Sequence, residues 1–370
     1  MIKVTLTNEI LKRISAIDEN RFSLNTVDLP PVTKNKLRKN SKKKSSHAST
    51  KIEGNPLTEA QASEVIDRDD HRHFLKPEQE VRNYYLALEV LEKKLKNRDP
   101  FSKELILEIQ AIVEKGASKE KIGLRGPMPP GVLFAVYDAD TGLPDYIPPE
   151  NIDIPGLLDE LVEYVNTTDD HPLIIAAVVH YQLVTIHPFE DGNGRTARLM
   201  SGYILDYFGY GFYGIGSLEE YFAYDTDEYY ESLQMGLPAL YYDGRENPPH
   251  PEIWVNYFLR MMELYSSKVY ELSQQSSSDI LTDSLSHLNR REKEFLAFLL
   301  ENRLYEFTPI EVSRMLNVTN KTVINRCAKL SSHGFLNPVI VTTRVRSYRV
   351  SDYARGNEKE LRSVLQNENR

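Results

Sequence analysis

Apolar residues recur at helical spacing through most of the chain. Between Glu78 and Leu95 they stand at Val81, Tyr84, Tyr85, Leu88 and Leu91, one face of a long amphipathic helix. Leu173 to Ile186 is apolar almost without interruption, the pattern of a helix buried on all sides. Thr196 to Phe208 returns to one-sided spacing, with Leu199, Tyr203, Ile204 and Phe208. Further helices are predicted over Glu9–Ile17, Thr58–Ile66 with Thr58 as N-cap, Ser102–Val113 capped by Ser102, Ile154–Asn166, Ser217–Leu233 and Ile253–Leu272. One stretch breaks the period. Gly123 to Gly131 is rich in glycine and proline, Val132 to Tyr137 is apolar, Asp138, Asp140 and Gly142 are turn residues, and Tyr146-Ile147 precedes Pro148-Pro149. That order predicts strand, turn, strand.

The C-terminal part has a different rhythm. Helices are predicted over Arg290–Glu301, Pro309–Leu316 and Lys321–Ser332, then extended segments over Phe335–Val341 and Arg344–Val350. Ser273 to Ser278 is a polar linker candidate, and the last fifteen or so residues are polar and expected to fray. Charge follows the same division. The chain carries a net −9, but Leu288 to Arg355 holds twelve Lys and Arg against six Asp and Glu. A basic module on an acidic body points to two different partners. The basic run Lys34–Lys44 reads as a solvated helix face or loop. The single cysteine, Cys327, excludes an internal disulfide and a cysteine-based zinc site. With no apolar run long enough for a bilayer and no signal-peptide pattern, the expectation is a cytoplasmic protein without a membrane span.

The chemistry gathers between the two most apolar helices, in His187-Pro188-Phe189-Glu190-Asp191-Gly192-Asn193-Gly194-Arg195-Thr196-Ala197-Arg198. The helix beginning after the glycines presents free N–H groups and its positive dipole end to this loop, which favours an anion. Gly192 and Gly194 allow close backbone approach and positive φ. The Asn193 amide can donate to the same anion, and Arg195 and Arg198 lie within reach of one polyphosphate. Asp191 offers a hard oxygen suited to Mg2+. His187 is the group that titrates near neutrality and suits proton abstraction from a hydroxyl. His180, two turns earlier among apolar neighbours, reads as a packing histidine.

This stretch resembles the signature of the Fic family of protein adenylyltransferases, H-P-F-x-D-G-N-G-R-x-x-R, at every fixed position. The resemblance implies a mainly α fold: a Fic-type helical core with a β-hairpin flap, here followed by a small α+β domain. It implies transfer of AMP from ATP, with Mg2+ at Asp191, to a Tyr, Thr or Ser hydroxyl of a target protein. His187 would be the base. Gly192, Asn193, Gly194, Arg195 and Arg198 would bind phosphates, Arg198 the γ-phosphate. Ser49, Glu53 and Gly54 resemble the family's inhibitory motif, [S/T]-x-x-x-E-[G/N], in which the glutamate takes the γ-phosphate's place on Arg198. Tyr229-Tyr230 resembles the adenine-contacting position, one ring holding the base while the other packs in the core. The flap would pair main chain with an extended target segment.

Asn317 to Val323 looks like the turn and recognition helix of a winged helix-turn-helix. Lys321, Asn325, Arg326 and Lys329 would then face DNA, with Arg344, Arg346 and Arg349 in the wing. The expected domains are 1–75 with the inhibitory helix, 76–272 as catalytic core, 273–287 as linker, 288–353 as winged helix and 354–370 as tail. Alternatives are removal of AMP at the same site, transfer of another phosphate-containing group, and a DNA-binding regulator that senses nucleotide. A homodimer stays open.

Overall fold

The computed structural model describes residues 1–25, 29, 31–68, 74–117, 122–137, 142–235, 237, 248–286, 288–341 and 344–367. The chain divides into two compact units, Met1–Arg21 with Lys36–Val269, and Phe22–Asn35 with Tyr270–Arg370. Helices precede the flap as α1 (Asn8–Asn25), α2 (Pro31–Ile52), α3 (Glu59–Asp67), α4 (Lys76–Asn97) and α5 (Lys103–Glu114). Strands β1 (Val136–Tyr137) and β2 (Pro144–Tyr146) form the flap hairpin. Then follow α6 (Ile154–Thr167), α7 (Pro172–Ile186), α8 (Asn193–Tyr207), α9 (Glu219–Phe222), α10 (Thr226–Gln234) and α11 (Pro251–Ser286).

The first unit is built around α7. It is apolar on every face, so it can only sit at the centre, and its residues from Leu173 to Leu183 are all buried. Its small residues let neighbours approach the backbone. Trp254 Nε1 donates to the Ala177 carbonyl at 2.8 Å, and Ser201 Oγ to that of Ala176 at 3.0 Å. The α8 helix packs on α7, and α4 and α5 pack on α8. Thr58 and Ser102 cap α3 and α5 as predicted, accepting from Gln61 and Leu105 N–H. Among the described residues the strand pairing in the flap is shorter than the apolar run Val132–Tyr137 suggests, with Val136 and Tyr137 paired. The turn residues Asp138 and Asp140 lie outside the described residues.

The α11 helix does not stop at Leu272. It continues to Ser286, through the segment read as a linker. Serine and glutamine are polar but do not break helices, and no glycine or proline falls between Glu252 and Ser286.

The second unit contains α12 (Arg290–Glu301), β3 (Glu306–Phe307), α13 (Pro309–Met315), α14 (Asn320–Ser332), β4 (Leu336–Val341), β5 (Arg344–Val350), α15 (Asp352–Gly356) and α16 (Glu358–Asn367). The strands form an antiparallel sheet in the order β3-β5-β4. Phe295, Leu299, Val312, Val323, Leu330 and Phe335 are among its core. Cys327 is buried there, and burial pushes its thiol up to about 12, which leaves it unreactive. The frayed tail expected from composition is replaced by α15 and α16. Leu361 and Leu365 are buried in this core, with Val364 packed against it. Leu361, with Val364 and Leu365 one turn further on, outweighs the polar majority around them.

Of the residues expected to face DNA, Lys321, Asn325 and Lys329 are exposed on α14, and Arg346 is exposed on β5. Arg326 instead lies over the Phe295 ring, 5.7 Å from its centroid, and Arg349 pairs with Glu306 on the adjacent strand at 2.9 Å. Both find partners inside the module because cation–π and cross-strand contacts are available there. The Arg344 side chain lies outside the description.

Candidate active site

The α7 helix ends on His187, which adopts a left-handed conformation (φ 48) and donates its N–H to Leu183. A non-glycine residue there is strained by about 1 kcal/mol or more, so the surroundings must hold it. Arg125 does so from the flap segment. Its Nε donates to the His187 carbonyl at 2.8 Å, its backbone N–H donates to the Pro188 carbonyl at 2.9 Å, and its guanidinium also reaches the Pro149 carbonyl. Leu124 and Phe189 form a β-bridge beside it. Nothing in the spacing of the glycine-rich stretch marks Arg125 out, because its partners are backbone carbonyls far along the chain.

The His187 ring is partly buried. Its Nδ1 lies 3.0 Å from Tyr146 Oη and 3.3 Å from the Val184 carbonyl. Desolvation pushes its pKa down to about 4, with the Arg125 charge adding to the effect and the Val184 carbonyl opposing it. The imidazole is therefore neutral at neutral pH and able to take up a proton.

Beyond His187 the loop folds back on itself. The Asn193 amide is buried and bonds both ways to Phe189, accepting from its N–H at 3.0 Å and donating to its carbonyl at 2.9 Å. The side chain read as an anion donor thus braces the loop. The backbone N–H groups of the first turn of α8 have no intrahelical acceptor, which suits them to an anion. Gly192 N-caps α8 with φ 80, and a Cβ there would fall 2.6 Å from Glu114 Oε1, so conformation and space both require glycine.

Arg195 is buried among carboxylates. It lies 2.9 Å from Glu114, 3.1 Å from Asp191 and 3.9 Å from Glu80. Asp191 Oδ1 also accepts the Gly192 N–H at 2.8 Å. Arg195 therefore holds Asp191 in place, with the fully buried Glu114 behind it. Glu114 is a site residue the sequence reading missed, since it looks like the ordinary polar end of α5.

Arg198 is also buried, and its charge is stabilised by its neighbours. Its Nε donates to Ser49 Oγ at 2.8 Å, and Nη2 donates to the Ser49 carbonyl at 2.9 Å and to Glu53 Oε1 at 2.7 Å. Nη1 donates to Tyr229 Oη at 3.3 Å. Ser49 and Glu53 reach one guanidinium because they are one turn apart at the end of α2, where Gly54 (φ 82) turns the chain. The Glu53 carboxylate sits directly over the start of α8, so that a Cβ on Gly194 would come 2.3 Å from Oε1.

Tyr229 is buried, bonded to His180 at 3.1 Å as well as to Arg198. Tyr230 is exposed, and its hydroxyl donates to the Ile52 carbonyl at 3.4 Å. His180 packs against Trp254 at 4.7 Å, and burial pushes its pKa well down, as suits a packing residue.

Residues 100–205 match the Fic/DOC family. The chain is 28% identical over 211 residues to the protein adenylyltransferase Fic of Drosophila mojavensis, an alignment covering 54% of this chain and 38% of that protein. It is 28% identical over 212 residues to the protein of the same name from Aedes aegypti, covering 54% and 39%. The chain thus spans less than half the length of these curated relatives. A Fic family protein from Desulfovibrio desulfuricans G20 superposes with a TM-score of 0.61 at 20% identity, over 95% of this chain and 98% of the other. Fic-1 from C. elegans superposes with a TM-score of 0.56 at 21% identity, over 72% of each. At these identities the superpositions establish the fold alone. No helix among the described residues is long and apolar enough to cross a membrane. With the helix–loop–helix signature, the matched sequence and the shared fold in agreement, residues 100–205 of this chain are a Fic domain of the Fic/DOC family.

Proposed function

We propose that the chain is a protein adenylyltransferase, transferring AMP from ATP to a Tyr, Thr or Ser hydroxyl of a target protein and of itself, and that Glu53 restrains it. The observation that carries the reading is the pair of bonds from Arg198 to Ser49 and Glu53. Arg198 is a bidentate cation beside an anion-binding helix start, and a carboxylate already fills it.

In this reaction neutral His187 takes the proton of the incoming hydroxyl. The hydroxyl oxygen forms a bond to the α-phosphorus as the bond to the β-phosphate oxygen breaks, and pyrophosphate leaves. The α8 N-terminus offers N–H groups to the growing charge, and Arg198 binds the γ-phosphate once Glu53 withdraws. Arg195 serves the phosphates by holding Asp191. The adenine contact falls to Tyr230, whose side chain is exposed, with Tyr229 packed against it at 5.0 Å.

Asp191 supplies one hard carboxylate, and among the described residues no group of three or more His, Cys, Asp or Glu side chains is placed to hold a metal by itself. That donor set fits a Mg2+ bound largely through ATP phosphates, with Asp191 as its protein ligand. The ion would offset phosphate charge.

Parallel incubations with α-labelled and γ-labelled ATP test the proposal. Label from the α-phosphate is expected to stay on protein through denaturing electrophoresis, and label from the γ-phosphate is not. Retention of γ-label would mean phosphoryl transfer instead. The base assignment makes a pH prediction. The active form is the neutral imidazole, populated above its pKa. With that pKa pushed down to about 4 from the ordinary 6.5, the transfer rate is expected to hold level from pH 8 through 6.5 and to fall only as pH approaches 4. An acid limb centred near 6.5 would contradict it.

A further inference from the structure

We propose that Tyr146 is a positioning residue for the base, fixing His187 as the tautomer with its proton on Nδ1. The inference rests on the adenylyltransferase reading for its catalytic meaning, while its geometry stands alone. Tyr146 ends the second flap strand and is buried. Its hydroxyl has a single proton, and the Val184 carbonyl, which can only accept, takes it. A lone pair of Oη is left facing His187 Nδ1 at 3.0 Å. Among the described residues, the other hydrogen-bonding neighbour of Nδ1 is the same Val184 carbonyl, at 3.3 Å. Both groups beside Nδ1 are therefore acceptors, so Nδ1 must donate, and the Nε2 lone pair is left for the substrate proton.

The ring plane is set as well. Tyr146 meets the imidazole edge-on at 6.0 Å, and Phe134 lies against it at 5.9 Å. The Val184 carbonyl alone, at the end of a helix and at longer range, offers a less directional partner. The flap would thus have a second duty: besides presenting the target, it orients the base.

The test uses the full chain labelled with 15N-histidine, with His187→Gln identifying the signal. The wild-type His187 is expected to show protonated Nδ1 and unprotonated Nε2. In Tyr146→Phe the signal is expected to become a mixture of tautomers. In a Glu53→Gly background Tyr146→Phe should lower kcat about tenfold, a part of the 10²–10⁴ a positioned base supplies, with KM for ATP unchanged within about twofold. A wild-type His187 protonated on Nε2 overturns the proposal, as does a Tyr146→Phe chain that keeps both a single tautomer and full kcat. The wild-type tautomer is read without turnover, and His187→Gln serves only to show which signal disappears. Absence of labelling in every chain would therefore refute the adenylyltransferase reading, while a wild-type His187 protonated on Nε2 would overturn this one whether or not any chain is labelled.

Discussion

Glu53→Gly is expected to raise AMP incorporation about 10- to 100-fold over the wild type. The carboxylate bonds Arg198 at 2.7 Å and lies over the first turn of α8. It competes for the guanidinium that a γ-phosphate would use, and its charge repels that phosphate. A hydrogen bond between charged groups contributes about 1.5–3 kcal/mol, and each 1.4 kcal/mol is tenfold. The Glu53 side chain is 33% exposed, so solvent screening places the effect toward the lower end. The substitution should not unfold the protein. Arg198 loses its carboxylate partner but keeps its bonds to Ser49 Oγ, the Ser49 carbonyl and Tyr229, so the buried guanidinium stays hydrogen-bonded and the melting temperature is expected to fall without loss of the fold. Labelling with α-labelled ATP, alongside a melting curve, checks both halves. Unchanged labelling would remove the inhibitory role. Label lost rather than gained would mean that the carboxylate assists the transfer itself.

Much of this site is legible in the sequence, for a definite reason. The parts that were read correctly are local. Thr58 and Ser102 cap helices over three residues, Gly54 ends α2, and His187 to Arg198 is one loop and one helix turn, so spacing alone brings their groups together. The parts that were not legible are long-range contacts made by ordinary residue types. Glu114 looks like a helix-end carboxylate until α5 is laid against α8, and Arg125 looks like a loop arginine until it meets the carbonyls of His187 and Pro149. Asn193 carries a role that its neighbours do not suggest: they point to a ligand donor, and its amide also braces the loop's own backbone at Phe189. At the tail, Leu361 and Leu365 were hidden by polar composition, although their helical spacing was there to be read.

His187→Ala is expected to lower transfer about a thousandfold or more, within the 10²–10⁴ that proton transfer by a positioned side chain contributes, while ATP binding survives. No phosphate-binding role is assigned to the imidazole, so the loss belongs in kcat, with KM for ATP little changed. Alanine carries a second effect that has to be separated from the first. Position 187 sits at φ 48, where a residue other than glycine costs about 1–2 kcal/mol, and asparagine tolerates that region better than alanine. His187→Asn is therefore the sharper variant. It should match His187→Ala in lost turnover but melt closer to the wild type, because its amide suits the left-handed position and cannot act as a base. Full transfer by His187→Asn would refute proton abstraction by His187. Transfer lost only in His187→Ala would mean that the residue matters for the shape of the loop, held open for anions by Arg125 and Asn193, and not for the proton.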